Sequence, residues 1–190
     1  PICRLTKTPP YLDGELKDEV WKNVAAIQLQ SQQSGKHLKT EMKWAWDKNF
    51  LYLSAKCERN AKSLTSSHPQ ETRQRDADLS DQDRLEIQLD IDRDYQTHWK
   101  ITIDQRGWAI DALNDDISWN PTWYIAAHDH AAGWSLEAAI PWDQISPSIP
   151  NPGQAWALGI ERIIPGRDLQ RWVPADGIPN SQGQGLIIFK

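Results

Sequence analysis

The sequence predicts an all-β chain, a β-sandwich or barrel with one or two short helices. Three observations carry this prediction. Apolar and polar residues alternate with a period of two through most of the chain. Turn-forming clusters separate the alternating runs at short, regular intervals. Helical spacing is confined to two brief stretches.

The first helical stretch is "LKDEVWKNV", where Leu16, Val20 and Val24 fall on one helical face behind Asp13 and Gly14. "EMKWAWD" then alternates Met42, Trp44 and Trp46 against Lys43 and Ala45. "FLYLSAKCE" sets Leu51, Leu53, Ala55 and Cys57 against Tyr52, Ser54 and Lys56, and the intervening "DKN" makes the pair a hairpin. Residues 60–80 read as a loop. "RLEIQLDI" puts Leu85, Ile87 and Leu89 on one face, with Glu86, Gln88 and Asp90 on the other. "HWKITIDQRGWAIDAL" is a pair of strands turning at 105–107, and "WYIAAHDHAAGWSLEAAIPW" a pair turning at 131–133. "PWDQI" suits a single helical turn started by Pro141. Residues 143–155 are a loop, and "AWALGIERII" and "GLIIFK" close the set of strands.

The totals exclude some functions. The 190 residues suffice for one domain, taken as 1–190, with a substantial core. The net charge of −5 argues against a reader of nucleic-acid backbones. No apolar run approaches the roughly 18 residues of a membrane-spanning helix. The chain starts at Pro1 rather than Met, as an excised domain or a processed form would. There are 11 Trp against 2 Phe and 1 Met. Indole rings fill cores, and their flat faces also stack on sugar rings. Two cysteines, Cys3 and Cys57, permit a disulfide in an oxidising compartment, or are two separate buried thiols.

Several groups of residues suggest chemistry. Asp76, Asp78, Asp81 and Asp83 are close enough in sequence to offer oxygen ligands to Ca²⁺. They lack the glycine and the terminal glutamate of the helical calcium loop. The competing reading is a solvated acidic loop balanced by Arg73, Arg75, Arg84 and Arg93. Glu86 and Glu137 are strand carboxylates that could serve a glycoside hydrolase if they stood about 5–9.5 Å apart. Glu86 and Lys100 fit a cross-strand ion pair as well. His128 and His130 share a strand face beside a turn, which predicts an exposed hairpin tip, and His37, His68 and His98 are scattered. Trp44, Trp99, Trp108, Trp134 and Trp156 alternate in phase with aliphatic neighbours and belong to the core, while Trp21 and Trp142 plug the ends of the fold. Trp119 and Trp123 lie in the loop "DDISWNPTWY" and Trp172 in "RWVPADG". Loop aromatics have less packing reason to exist, so these three are the candidate stacking platform.

Five segments, in order, carry a family resemblance: "PPYLDGELKDEVWKNV", "WAWDKNFLYLSAKCE", "DRLEIQLDID", "GWSLEAAIPWDQI" and "RWVPADGIPNSQGQGLIIF". Together they resemble the family 9 carbohydrate-binding modules and the wider DOMON-like sandwiches. The resemblance implies a two-sheet antiparallel β-sandwich (jelly-roll or immunoglobulin-like). It also implies a secreted or periplasmic location and a catalytic domain, a glycoside hydrolase, alongside. Sugar-binding members clamp the ligand between two loop tryptophans. At the first clamp position this chain has Ser80, and at the second, near Pro179, the expected indole is missing, although Trp172 stands earlier in the loop. Polar sugar contacts would fall to Glu86, Lys100 and Glu161. Related sandwiches carry structural calcium. Others carry haem, but Met42 is the sole Met, lies on the predicted core face, and no haem-attachment motif is present, which argues against haem. The implied action is non-catalytic binding of a saccharide. The alternatives are a glycoside hydrolase domain and a DOMON-type haem or interaction module.

Overall fold

The computed structural model describes residues 1–33, 38–59, 75–172 and 184–190. Readings that fall on His37, His68, Arg73, Pro179 and the loop at 60–74 lie outside the described residues. The elements in chain order are β1 (Ile2–Leu5), α1 (Glu19–Lys22), β2 (Ile27–Gln28), β3 (Gln30–Ser31), β4 (Thr40–Trp46), β5 (Phe50–Glu58), β6 (Arg84–Asp90), β7 (Trp99–Asp104) and β8 (Ala109–Leu113). They continue with β9 (Tyr124–His130), β10 (Gly133–Pro141), α2 (Trp142–Ile145), β11 (Ala155–Ile164), β12 (Asp168–Arg171) and β13 (Gly185–Phe189).

The strands form two layers. The front layer runs β8-β7-β6-β11-β13, with β12 and β3 continuing beside β11, and the back layer runs β4-β5-β10-β9, with β2 beside β4. Within each layer neighbours are antiparallel. The predicted hairpins are present: β4–β5, β7–β8 and β9–β10. The exception to the predicted antiparallel pairing is β1. It pairs parallel to β13 on one side and to β4 on the other, so the two layers are one sheet curled through a shared corner.

The period of two explains which side chains fill the interior. Leu85, Ile87 and Leu89 of β6, Trp44 and Trp46 of β4, and Leu136, Ala138 and Ile140 of β10 all lie in one buried cluster. Trp142, Trp156 and Phe189 pack edge-to-face there, with ring centres 4.8–6.1 Å apart. Met42 is buried in the same cluster.

Three expectations change. Cys3 and Cys57 are separate buried thiols and form no disulfide. Arg4 pairs with Ala45 and Thr40 with Cys57, so the two cysteines sit about four residues apart along β4, roughly 13 Å at the strand rise. That is well beyond the usual Cα separation of a disulfide, about 4.4–6.8 Å. The helix predicted over 16–24 is a single turn, because Leu16 adopts a positive φ of 60° and Asp18 is extended. Trp21 does not plug an end of the sandwich. It lies on the outer side of the back layer, in a second cluster with Val24, Ala45, Tyr52 and Ala139.

Candidate functional site

Because the apolar residues of β6, β7 and β11 point inward, their intervening polar residues must face out from the front layer. Glu86 and Gln88 on β6, Lys100 on β7 and Glu161 on β11 are part-exposed, and Thr102 on β7 is buried beneath them in the same outward phase. Register then assembles them. Arg171 is directly across from Glu161, Glu161 from Glu86, and Glu86 from Thr102, while Lys100 is across from Gln88. Two glutamates side by side would repel each other. Each instead has its own cation. Arg84 Nε lies 3.1 Å from Glu86 Oε1, Lys100 Nζ 3.4 Å from Glu86 Oε2, and Arg171 Nε 2.7 Å from Glu161 Oε1.

The β6–β7 end of this row, with Arg84, Glu86, Lys100 and Thr102, opens into a cleft of about 290 Å³, while Glu161 and Arg171 lie beside it. Its floor includes Glu86, Lys100 and Thr102, and Ser80 and Ile117 stand on loops at its edges. Ile117 is 59% exposed. Ser80 donates its backbone N–H to Asp78 and accepts from Arg84 with its carbonyl, which fixes the loop beside the carboxylate. Hydrogen-bond to Ser80 holds the Asp78 carboxyl below its ordinary value. The cleft thus offers charged acceptors and charged donors within one small area, already paired and therefore oriented. Such groups suit a neutral ligand rich in hydroxyls, each of which can donate to a carboxylate and accept from an ammonium.

The resemblance named Glu86, Lys100 and Glu161; all three lie on the outer face of the front layer, and Glu86 and Lys100 line the cleft. The sequence reading missed Thr102, Arg84 and Ile117. Thr102 was within reach, since in "KITID" it shares the outward phase of Lys100. Ile117 follows no alternation, and only the folded loop reveals it.

The tryptophan platform does not assemble. Trp123 is only 9% exposed and belongs to the core cluster. Trp119 packs against the same core and meets Trp99 edge-to-face at 6.4 Å. Trp172 is half-buried on the core, its backbone N–H donating to Ile160. None of the three is among the described residues lining the cleft. The indoles had more packing to do than loop composition suggested.

The acidic loop also divides differently. Asp83 turns inward, where both its oxygens accept from Arg162, at 2.8 and 2.6 Å, and Trp134 Nε1 donates to it at 2.9 Å. It is therefore not available as a metal ligand. Asp76 keeps a buried oxygen without a hydrogen-bond partner. Among the described residues, the group of three acids whose oxygens approach within 4.8 Å of one another is Asp90, Asp92 and Asp94, further along the chain than the predicted set. Asp90 also accepts the backbone N–H groups of Arg93 and Tyr95, and burial raises its pKa.

Glu86 and Glu137 cannot form a hydrolytic pair. Glu137 lies on the outer side of β10, in the back layer. There it accepts from Trp21 Nε1 at 2.6 Å and from the backbone N–H groups of Gly14 and Asp13 at 2.8 and 3.1 Å. Two stacked layers about 10 Å thick separate it from Glu86, and the side chains point apart. Burial raises the Glu137 pKa against the pull of these donors.

Comparison with known proteins agrees with the fold. A family model described as "Carbohydrate family 9 binding domain-like" matches residues 12–169. A carbohydrate binding module of family 9 from Caldicellulosiruptor kristjanssonii, solved with glucose, superposes with a TM-score of 0.71 at 18% identity, covering 100% of this chain and 96% of that one. The same organism's module solved with cellotriose gives 0.68 at 18% identity, covering 100% and 94%. Endo-1,4-beta-xylanase A of Thermoanaerobacterium saccharolyticum is 27% identical over 144 residues, which is 73% of this chain but 11% of the xylanase.

Proposed function

Since the chain belongs to the carbohydrate family 9 binding domain-like family, we propose that it is a non-catalytic carbohydrate-binding module that holds a saccharide in the front-layer cleft. The observation that supports this reading is the convergence of Arg84, Glu86 and Lys100 in one open cleft, with Glu161 beside Glu86 on the same face. Each charge-assisted hydrogen bond to a sugar hydroxyl contributes on the order of 1.5–3 kcal/mol. Pairing with Arg84 and Arg171 holds the acceptors in place, so little ordering entropy is lost on binding. Ile117 supplies the apolar contact at the edge that a sugar ring covers.

The partner is a glycoside hydrolase, and the place of action is extracellular or periplasmic. Support comes from the xylanase relative, of which this chain spans a small part, and from the two solved relatives with bound sugars. No helix among the described residues is long and apolar enough to cross a membrane. A structural Ca²⁺ is part of the same reading. Asp90, Asp92 and Asp94 would supply its oxygens.

Calorimetric titration with cello- and xylo-oligosaccharides tests the proposal. The expected result is saturable binding that weakens at least tenfold in Glu86→Ala. A wild-type chain that binds neither series at millimolar ligand contradicts it.

A further inference from the structure

Another cleft, of about 510 Å³, lies on the opposite side of the described structure, on the outer face of the back layer. One wall is the N-terminal segment, including Lys17, and the floor is β4, β5, β10 and the edge strand β9. Register places Glu41, Lys56, Ser135 and His128 in one cross-strand row. Lys43 lies one outward position along from Glu41, and His130 one outward position along from His128.

The charge here opposes that of the whole chain, which is −5. Lys17 is paired with Glu15, and Glu41 accepts from the Gln28 amide at 2.8 Å. Lys43 donates to a neutral acceptor, the Trp21 carbonyl. Among the described residues no carboxylate lies within ion-pair distance of Lys43 or Lys56. His128 and His130 stack with ring centres 6.2 Å apart and an interplanar angle of 29°. Two uncompensated ammonium groups and two stacked imidazoles therefore share a concave, ligand-sized space.

We propose that this cleft binds an acidic saccharide, a uronate whose carboxylate sits between Lys56 and the His128–His130 pair, with Lys43 at the far end of the cleft within reach of the rest of the chain. The saccharide character rests on the function proposed above, while the negative charge rests on this cleft alone. The stems of the lysines and Leu16 give the sugar ring apolar surface to cover.

His130 makes the site sensitive to pH. Burial holds the His130 pKa below its ordinary value, helped by His128, Lys56 and Arg59 and opposed by Asp129. Arg59 itself is paired with Asp129, and Glu15 and Lys17 face the cleft from the N-terminal segment. A bound carboxylate favours the protonated form of His130, so binding takes up a proton and tightens as pH falls.

Trigalacturonate and cellotriose, titrated separately into ¹⁵N-labelled protein at pH 5.5 and pH 8, test this. The expected result is trigalacturonate binding that shifts the amides of Lys43, Lys56, His128 and His130. Affinity should fall several-fold at pH 8, and at least tenfold in a Lys43→Ala, Lys56→Ala double variant that still binds cellotriose normally. Absence of trigalacturonate binding overturns the inference, as does binding confined to the Glu86 cleft or equal competition by sodium sulfate. If cellotriose binds and trigalacturonate does not, only this inference fails. If trigalacturonate binds at the lysines and cellotriose does not bind, this inference stands and the front-cleft reading fails.

Discussion

Arg162 is fully buried and is neutralised by Asp83, whose side chain is 18% exposed. Its remaining N–H groups donate to Thr40 Oγ1 and to the Glu58 carbonyl, each at 2.9 Å, so a front-layer strand is tied to two back-layer strands. Removing Asp83 would leave a buried guanidinium without its counter-charge. Asp83→Ala is therefore expected to cost about 3–5 kcal/mol in urea unfolding, whereas Glu86→Ala, at the surface, should cost less than about 1 kcal/mol. Equal, small effects would contradict this assignment. The sequence made Asp83 look like a calcium ligand because its acidic neighbours are adjacent. Its true partner lies 79 residues away, where spacing carries no information. Among the acids of the family-like motifs, Asp47, Asp83 and Glu137 secure the fold, whereas Glu86 faces solvent. Asp47 accepts the N–H groups of Asn49 and Phe50 and the Tyr52 hydroxyl, which explains the Trp-Asp turn of the β4–β5 hairpin.

At the scale of elements, the N-terminal segment behaves as a strap over the back layer. Gly14 has a φ of 80°, and a Cβ there would come within 2.8 Å of the His128 nitrogen, so the strap can lie flat on β9 only with glycine. Its carbonyl accepts from Ser135 Oγ at 2.6 Å, while Glu137 receives its N–H. Glu137→Ala would orphan the Trp21 indole and the Gly14 amide, at a cost on the order of 1–3 kcal/mol for each donor left buried. Amide hydrogen exchange should then quicken over residues 13–22 while β5 and β10 keep their protection. Uniform acceleration across the chain would instead mean that the strap and the sheet unfold together. The alternation of "SLEAAI" put Glu137 on the polar face of its strand correctly. It could not show that a helix turn covers that face, because a period reports sides of a strand and not what lies over them.

Across the whole molecule, the long hairpins were legible because a buried face imposes strict alternation over many residues. The corner strand β1 was not. Four residues, "ICRL", carry too little pattern, and their parallel partners are remote in sequence. The same limit hid β12, whose "DLQR" buries the polar Gln170 against Thr40. A cation bound only by the folded chain would stabilise the entire sheet. At a hundred times its dissociation constant, Ca²⁺ should contribute about 2.7 kcal/mol, seen as a higher melting temperature that EDTA reverses. An unchanged melting temperature with Asp90→Asn behaving as wild type removes calcium from the account.

Two clefts on opposite faces leave one central question, which of them holds a neutral sugar. Chemical-shift mapping with cellotriose answers it directly. The largest amide shifts are expected on Glu86, Lys100, Thr102 and Ile117, with Lys43, Lys56 and His128 unmoved. Shifts centred on the back-layer residues, or none at saturating millimolar cellotriose, would contradict it.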